Sequence, residues 1–186
     1  MTERLDSILN DISERLADKE RVREESISTS RKVIRLSKNT IHAIHAGEDC
    51  SEPRKEMRDM ISGMDRAQTA SLDAMMEYSE AEILHAIVNG SEIPTPEDLD
   101  IDGGSWLMGM ADAIGELRRV ILTRLMESDL ESAKTLFVAM DELCEGLMTF
   151  DVPDAILPIR RKQDVARGIL ERTRSDLLNA TLTFNR

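Results

Sequence analysis

The sequence predicts an all-α protein, a helical bundle of about five to seven helices opened by one unusually long helix, and three observations carry that reading. Glycine and proline are scarce, nine and five in 186 residues, so long stretches run without a breaker. Aromatic residues make up only 3% while methionine reaches 11 copies, a composition poor in the residues that build strands. Apolar positions recur every three or four residues along most of the chain, the period of a helix with one buried face.

The first element follows from the absence of Gly and Pro between Leu5 and Ala46. Leu5, Ile8, Ile12 and Leu16, then Val33, Ile34, Ile41 and Ile44, keep helical spacing, and Gly47 supplies the stop. A helix of that length measures roughly 60 Å at 1.5 Å per residue, enough to span a whole bundle or to project into an assembly. A second helix is expected after Ser51-Glu52-Pro53, with Ser51 as its cap and proline in the first turn, running through Met57, Met60, Ile61, Met64, Leu72, Met76, Ile83, Leu84 and Ile87 to Asn89-Gly90. The stretch from Ser91 to Ser105 carries Pro94, Pro96, Gly103 and Gly104 and reads as an acidic loop. Two more helices are expected from about Trp106 to Met126 and from about Asp129 to Met148. Pro153 and Pro158 mark the connection from Phe150 to Pro158, and a last helix covers roughly Arg160 to Ala180 with Val165, Ile169, Leu170, Leu177 and Leu178 on one side. No repeat or composition shift divides the chain, so residues 1–186 are expected to form a single domain. A chain of this size buries about 70% of the surface that its unfolded form exposes.

Charge and cysteine content narrow the classes of function. A formal net charge of -12 argues against a nucleic-acid binder that works by global attraction, so any such binder must gather its positive charge on one surface. Cys50 and Cys144 form neither a disulfide framework nor a CxxC pair, which points to a reducing, cytoplasmic setting. No apolar run approaches the length of a membrane span, and the charged start Thr2-Glu3-Arg4 is unlike a signal peptide, so no membrane partner is expected.

Acidic residues stand where a helix ought to be apolar. Glu77 and Glu80 are three apart in Met76-Glu77-Tyr78-Ser79-Glu80-Ala81, and Asp112 and Glu116 are four apart in Gly109-Met110-Ala111-Asp112-Ala113-Ile114-Gly115-Glu116-Leu117. Such spacings place each pair on one helical face. Glu80 falls between Met76 and Leu84 on the stripe that should face the core, and Glu77 shares its face with Ala81, Leu84 and Val88. Taken alone, each pair is most simply a solvated face. Two helices packed side by side, with Ala111 and Gly115 allowing a close approach, would instead bring Glu77, Glu80 and Asp112 together with Glu116 near. Carboxylates turned inward must be neutralised, and a hard divalent cation, Mg²⁺ or Mn²⁺, suits an all-oxygen donor set.

Other acid and imidazole patterns are weaker. Glu82-Ile83-Leu84-His85 offers one Glu-x-x-His, but a di-iron carboxylate bundle needs two. Asp98-Leu99-Asp100-Ile101-Asp102-Gly103 imitates the opening of a calcium loop, yet its twelfth position is Gly109 rather than a glutamate. His42 and His45 lack the third protein ligand that zinc requires.

Arg31, Arg35, Lys38, His42 and His45 are four, three, four and three residues apart, with Lys32 beside them. They share one face of the long helix, and no acid interrupts them. The plain reading is a solvated or subunit-packing face. The functional reading is a track for a polyphosphate backbone, with Arg and Lys on phosphates and His adding hydrogen bonds or stacking on bases. Arg160-Arg161-Lys162 is a second basic cluster, diluted by Asp164 and Glu171 in the helix that follows.

Several of these segments, taken in order, resemble the translin superfamily, the RNA- and single-stranded-DNA-binding proteins that include translin and translin-associated factor X. Arg31-Lys32-Val33-Ile34-Arg35-Leu36-Ser37-Lys38 with Ile41-His42-Ala43-Ile44-His45 is similar to the family's first helix. Glu77-Tyr78-Ser79-Glu80-Ala81 resembles the Glu-Tyr-x-Glu-Ala element of the factor X branch, and the segment from Gly109 to Leu117 resembles its Gly-x-Ala-Asp-x-x-Gly-Glu-Leu. The resemblance implies a translin-like helical fold that assembles into closed octamers holding nucleic acid inside. For the factor X branch it implies a Mg²⁺-dependent endoribonuclease acting on single-stranded RNA, with catalytic acids that fall on Glu77, Glu80 and Asp112. Translin itself is the non-catalytic branch, and the alternative reading is therefore a binding oligomer for RNA or single-stranded DNA. One departure is Cys144-Glu145-Gly146-Leu147, where family members tend to have Tyr-Asp-Gly-Phe, which leaves the role of Glu145 open. The short chain, without the insertion of eukaryotic factor X proteins, implies a prokaryotic, archaeal-type member that builds a homo-oligomer.

Overall fold

The computed structural model describes residues 2–65 and 68–184, and in these the chain forms six helices and no strand. The helices are α1 (Thr2–Ala46), α2 (Ser51–Ile61), α3 (Thr69–Val88), α4 (Gly103–Met126), α5 (Leu130–Met148) and α6 (Arg160–Phe184). The α3–α4 pair forms the centre of the bundle, with α1 and α2 packed on the α3 side and α5 and α6 on the α4 side. Ile83, Leu84, Ile114, Leu117, Ile121, Met140 and Leu147 fill the middle without exposed surface. None of the described helices is long and apolar enough to cross a membrane.

Helix ends follow local chemistry. Gly47 and Gly90 adopt φ of +68° and +65° after α1 and α3, a conformation that costs glycine nothing. Asp102 caps α4 by accepting from the Ser105 amide at 2.9 Å, and this starts the helix at Gly103, ahead of the expected Trp106. Asp129 caps α5 in the same manner, accepting from the Ser132 amide at 3.1 Å.

Three expectations are corrected. The predicted second helix is two helices, because α2 stops at Ile61 and a turn through Ser62-Gly63 precedes α3; a helical glycine costs about 1 kcal/mol relative to alanine, enough to favour the break. Residues 66–67 of that predicted helix lie outside the described residues. Ser51 is not the cap of α2: Cys50 holds that position, and the Ser51 hydroxyl and amide both bind the Asp49 carboxylate, at 2.8 Å and 3.1 Å. In α6 the buried positions are Ala166, Leu170 and Thr173, with Ile169 and Leu177 packed beside them, while Val165 and Leu178 face outward.

The first half of α1 stands apart from the bundle. Every side chain from Arg4 to Glu25 is exposed, including Leu5, Ile8, Ile12 and Leu16, and α1 joins the core only from Ser26, whose hydroxyl meets that of Ser71 at 3.0 Å.

Candidate metal centre and nucleic-acid track

The candidate site is made by the crossing of α3 and α4. Gly109 is the point of closest approach: a methyl group there would lie 1.9 Å from Ser79 Oγ, 2.4 Å from the Met76 carbonyl oxygen and 2.8 Å from the Glu80 amide nitrogen. Hydroxyls secure the contact, with Ser79 donating to Ser105 O at 3.3 Å and Ser105 donating to Leu72 O at 3.3 Å. Asp112 follows Gly109 by one turn, which sets it beside the two glutamates of α3. The close approach therefore depends on Gly109, whereas Gly115, expected to provide it, faces Ile169 of α6 at an ordinary 3.8 Å.

Glu77, Glu80 and Glu116 line a cleft of about 340 Å³ together with Lys38, Ile41, His42 and Arg119. The four acids act on one another. Burial, followed by the charges of Asp112, Glu77 and Glu116, pushes the Glu80 carboxyl up to about 8, against the opposing effect of Lys162. Burial raises Glu77 as well, with Asp112 and Asp73 adding to it and Lys38 and Lys162 resisting.

Each acid of α4 has a cationic partner. Asp112 accepts from the ammonium of Lys162 on α6. Glu116 accepts from Arg119 Nη1 at 2.7 Å and meets His45 Nε2 at 2.5 Å. Among the described residues, no three His, Cys, Asp or Glu side chains are gathered closely enough to hold a metal ion. The donor set nevertheless fits a hard divalent cation: it is all oxygen, burial and mutual repulsion raise two of its members from their ordinary value, and an ammonium stands where a cation would.

The basic track divides. Arg31, Lys32, Arg35, Lys38 and His42 are exposed along α1, and Lys38 and His42 reach the wall of the acid cleft. His45 departs from the stripe, since it is largely buried and occupied with Glu116. The track thus leads into the acids instead of running past them.

The most buried acid among the described residues lies on a different face of α3. Glu82 is 2% exposed and takes a two-pronged interaction from Arg54 of α2, at 2.9 Å and 2.6 Å, while Arg54 Nη1 meets His85 Nε2 at 3.0 Å. Glu82 and His85 are consumed in this clamp between α2 and α3, which removes the di-iron alternative. Asp98 and Asp102 of the calcium-like loop serve local purposes, Asp98 binding Thr95 at 2.9 Å and Asp102 capping α4. From sequence Lys162 stands out only as part of the Arg160-Arg161-Lys162 cluster and not as a partner of the acids, and Arg119 is not singled out. Arg119 is legible as the i+3 partner of Glu116, but nothing local signals that Lys162 meets an acid fifty positions earlier in the chain.

Glu80 predicts a measurable pH dependence. With its carboxyl near 8 in the folded protein and near an ordinary 4.5 when unfolded, the folded state keeps a proton that the unfolded chain releases. The associated stability is present in full below 4.5 and is lost as pH rises through 8. In EDTA, the melting temperature is expected to fall between pH 5 and pH 8.5, and Glu80→Gln to flatten that fall. Parallel pH profiles for the two proteins in calorimetry would contradict the burial of this group.

No model of a known protein family matches the chain. It is 32% identical to an uncharacterized protein of Methanocaldococcus jannaschii over 180 residues, 91% of this chain and 81% of that one. Among solved structures it is similar to AfC3PO, with a TM-score of 0.88 and 34% identity over 96% of this chain and 99% of that one. It is also similar to AfC3PO in complex with duplex RNA, with a TM-score of 0.86 and 33% identity over 94% of this chain and 97% of that one. NeC3PO without ligand shares the fold at a TM-score of 0.82, with 20% identity over 92% of this chain and 96% of that one. C3PO denotes the complex of translin and translin-associated factor X. With an all-helical bundle behind a long first helix, the acids and basic residues grouped as described, and a third of its residues identical to AfC3PO over almost the full length of both, the chain belongs to the translin superfamily as an archaeal-type member.

Proposed function

We propose that the protein is a Mg²⁺- or Mn²⁺-dependent endoribonuclease that cleaves single-stranded RNA inside a homo-oligomeric shell. One observation carries the reading: a cationic track on α1 ends in a cleft walled by Glu77, Glu80 and Glu116, with Asp112 close enough to raise the Glu80 carboxyl further. Glu77, Glu80 and Asp112 would hold the ion, with Glu116 beside them. A bound divalent ion supplies Lewis acidity toward a phosphoryl oxygen and an activated water. The chain's own residues do the rest. Lys38 and His42 hold a phosphate at the cleft wall, and Arg31, Lys32 and Arg35 guide the strand toward it. AfC3PO forms a complex with duplex RNA, which supports RNA as the ligand class; the exposed apolar face of the α1 arm and the outward Leu178 and Leu182 support assembly with further copies, for which the octamer implied by the family resemblance is the proposed form. Incubating labelled single-stranded and duplex RNA with the protein in Mg²⁺, Mn²⁺ or EDTA tests the reading, and cleavage that survives EDTA would overturn it.

A specific observation favours the second reading, a non-catalytic RNA- or single-stranded-DNA-binding oligomer. Asp112 is paired with Lys162, and Glu116 with Arg119 and His45, so the acids of α4 already have counter-charges. Binding without cleavage in either metal would select it.

The track makes its own prediction. Each phosphate contact on a single strand contributes roughly -0.7 to the slope of log K against log[salt]. Replacing Arg31, Arg35 and Lys38 by alanine is expected to weaken RNA binding and to flatten that slope by about two units. An assembled triple variant with wild-type affinity and slope would make the stripe a packing or solvated face.

A further inference from the structure

Lys162 sits at the third position of α6, in a first turn that carries no acid. Helix N-termini carry partial positive charge, so an ammonium in the first turn is electrostatically misplaced unless something outside the helix offsets it. Asp112 is that partner. The lysine is largely buried by the contact, at 23% exposure, and its charge also acts on Glu77 and Glu80. Other cations nearby are committed elsewhere: Arg119 and His45 to Glu116, and Lys38 to Glu77 at the track side of the cleft. Lys162 is therefore the one described cation that addresses all three acids of the proposed ligand set.

A divalent ion on Asp112 needs the carboxylate lone pairs to which the ammonium now donates, and like charge opposes the two sitting together. The lysine side chain is a compact charge on a flexible four-carbon stem, which lets it leave without moving α6. Resting on the metal-dependent reading above, we propose that Lys162 is the built-in counter-ion of the acid site: it holds Asp112 in place, yields it to an arriving divalent cation, and by that competition sets how tightly the cation binds. It acts through Asp112 and is a positioning residue.

The full-length protein can be titrated with Mn²⁺ alone by calorimetry, comparing wild type with Lys162→Met and Lys162→Arg. Lys162→Met is expected to bind Mn²⁺ about tenfold more tightly, the equivalent of about 1.4 kcal/mol. It should also melt lower than wild type in EDTA and gain more from added Mn²⁺. Lys162→Arg, which keeps the charge, should stay near wild type. A gain in affinity cannot come from a damaged fold, and Lys162→Gln replaces the methionine variant if that one fails to fold. An unchanged or weaker Mn²⁺ affinity in the charge-removing variant, beside a wild type that binds, overturns the role of Lys162 and leaves the metal reading standing. If neither protein binds Mn²⁺ or Mg²⁺ at millimolar concentration, the metal reading falls and the proposal with it.

Discussion

Glu77→Gln, Glu80→Gln and Asp112→Asn are each expected to lower RNA cleavage by roughly a hundredfold or more while leaving RNA affinity near wild type, because ligands of one shared ion act as a unit. The same logic makes the triple variant little worse than any single one. Affinity is spared because the strand is held by Arg31, Lys32, Arg35 and Lys38, none of which these changes touch. Glu77→Gln and Glu80→Gln also remove charge from a crowded cluster, so these two variants should fold at least as well as the wild type, whereas Asp112→Asn leaves Lys162 without its counter-charge and should melt lower; for Glu80 in particular, the folded protein already favours the neutral form over much of the pH range up to about 8. Turnover assays against binding isotherms make the check, and near wild-type turnover in all three would remove these acids from the chemistry.

The second large effect is structural and arises one turn away. Gly109→Ala places a methyl group against the Met76 carbonyl oxygen and the Glu80 amide nitrogen as well as the Ser79 hydroxyl. The hydroxyl can rotate aside, but main-chain atoms inside a helix cannot. The two central helices must separate, at a cost of about 3 kcal/mol. For a domain of this size that corresponds to a melting temperature lower by about 6–12 °C. Adding Ser79→Ala should restore little, since the two backbone clashes remain. Separation also moves Asp112 from Glu80, so cation affinity should fall in the same variant. A wild-type melting curve for Gly109→Ala would mean that the crossing is looser than described.

Periodicity made the helices legible and was silent on what they meet. The long α1 with its stop at Gly47, the start of α5 near Asp129, and the acid pairs at Glu77/Glu80 and Asp112/Glu116 were all readable, because local signals along one helix decide them. The break between α2 and α3 was legible in Ser62-Gly63 but was overridden by the apolar run on either side. Val165 and Leu178 fit the apolar pattern of α6 yet face outward, since a helix at the edge of a bundle buries only a narrow stripe. The pairing of Lys162 with Asp112, of His45 with Glu116 and of Arg54 with Glu82 joins different helices, and no spacing rule reaches across a fold. Gly109 against Gly115 shows the same limit: both are small residues on one helix, and only the crossing point distinguishes them.

The arm of α1 carries a consequence for cooperativity. Its exposed residues, 4–25, extend roughly 33 Å, and inside one chain they are supported only by local pairs such as Arg15–Asp11 at 2.9 Å and Arg21–Glu25 at 3.0 Å. Such pairs contribute about 0.2–0.5 kcal/mol each, and an isolated helix of this length is marginal in water. A single chain is therefore expected to behave as two thermodynamic units under one continuous backbone: a bundle that melts as a whole, and an arm whose helix–coil equilibrium is set by local terms and is weakest farthest from the bundle. Nucleation, normally the costly step for a short helix, costs the arm nothing, because the packed half of α1 is a permanent template from which each turn can re-form.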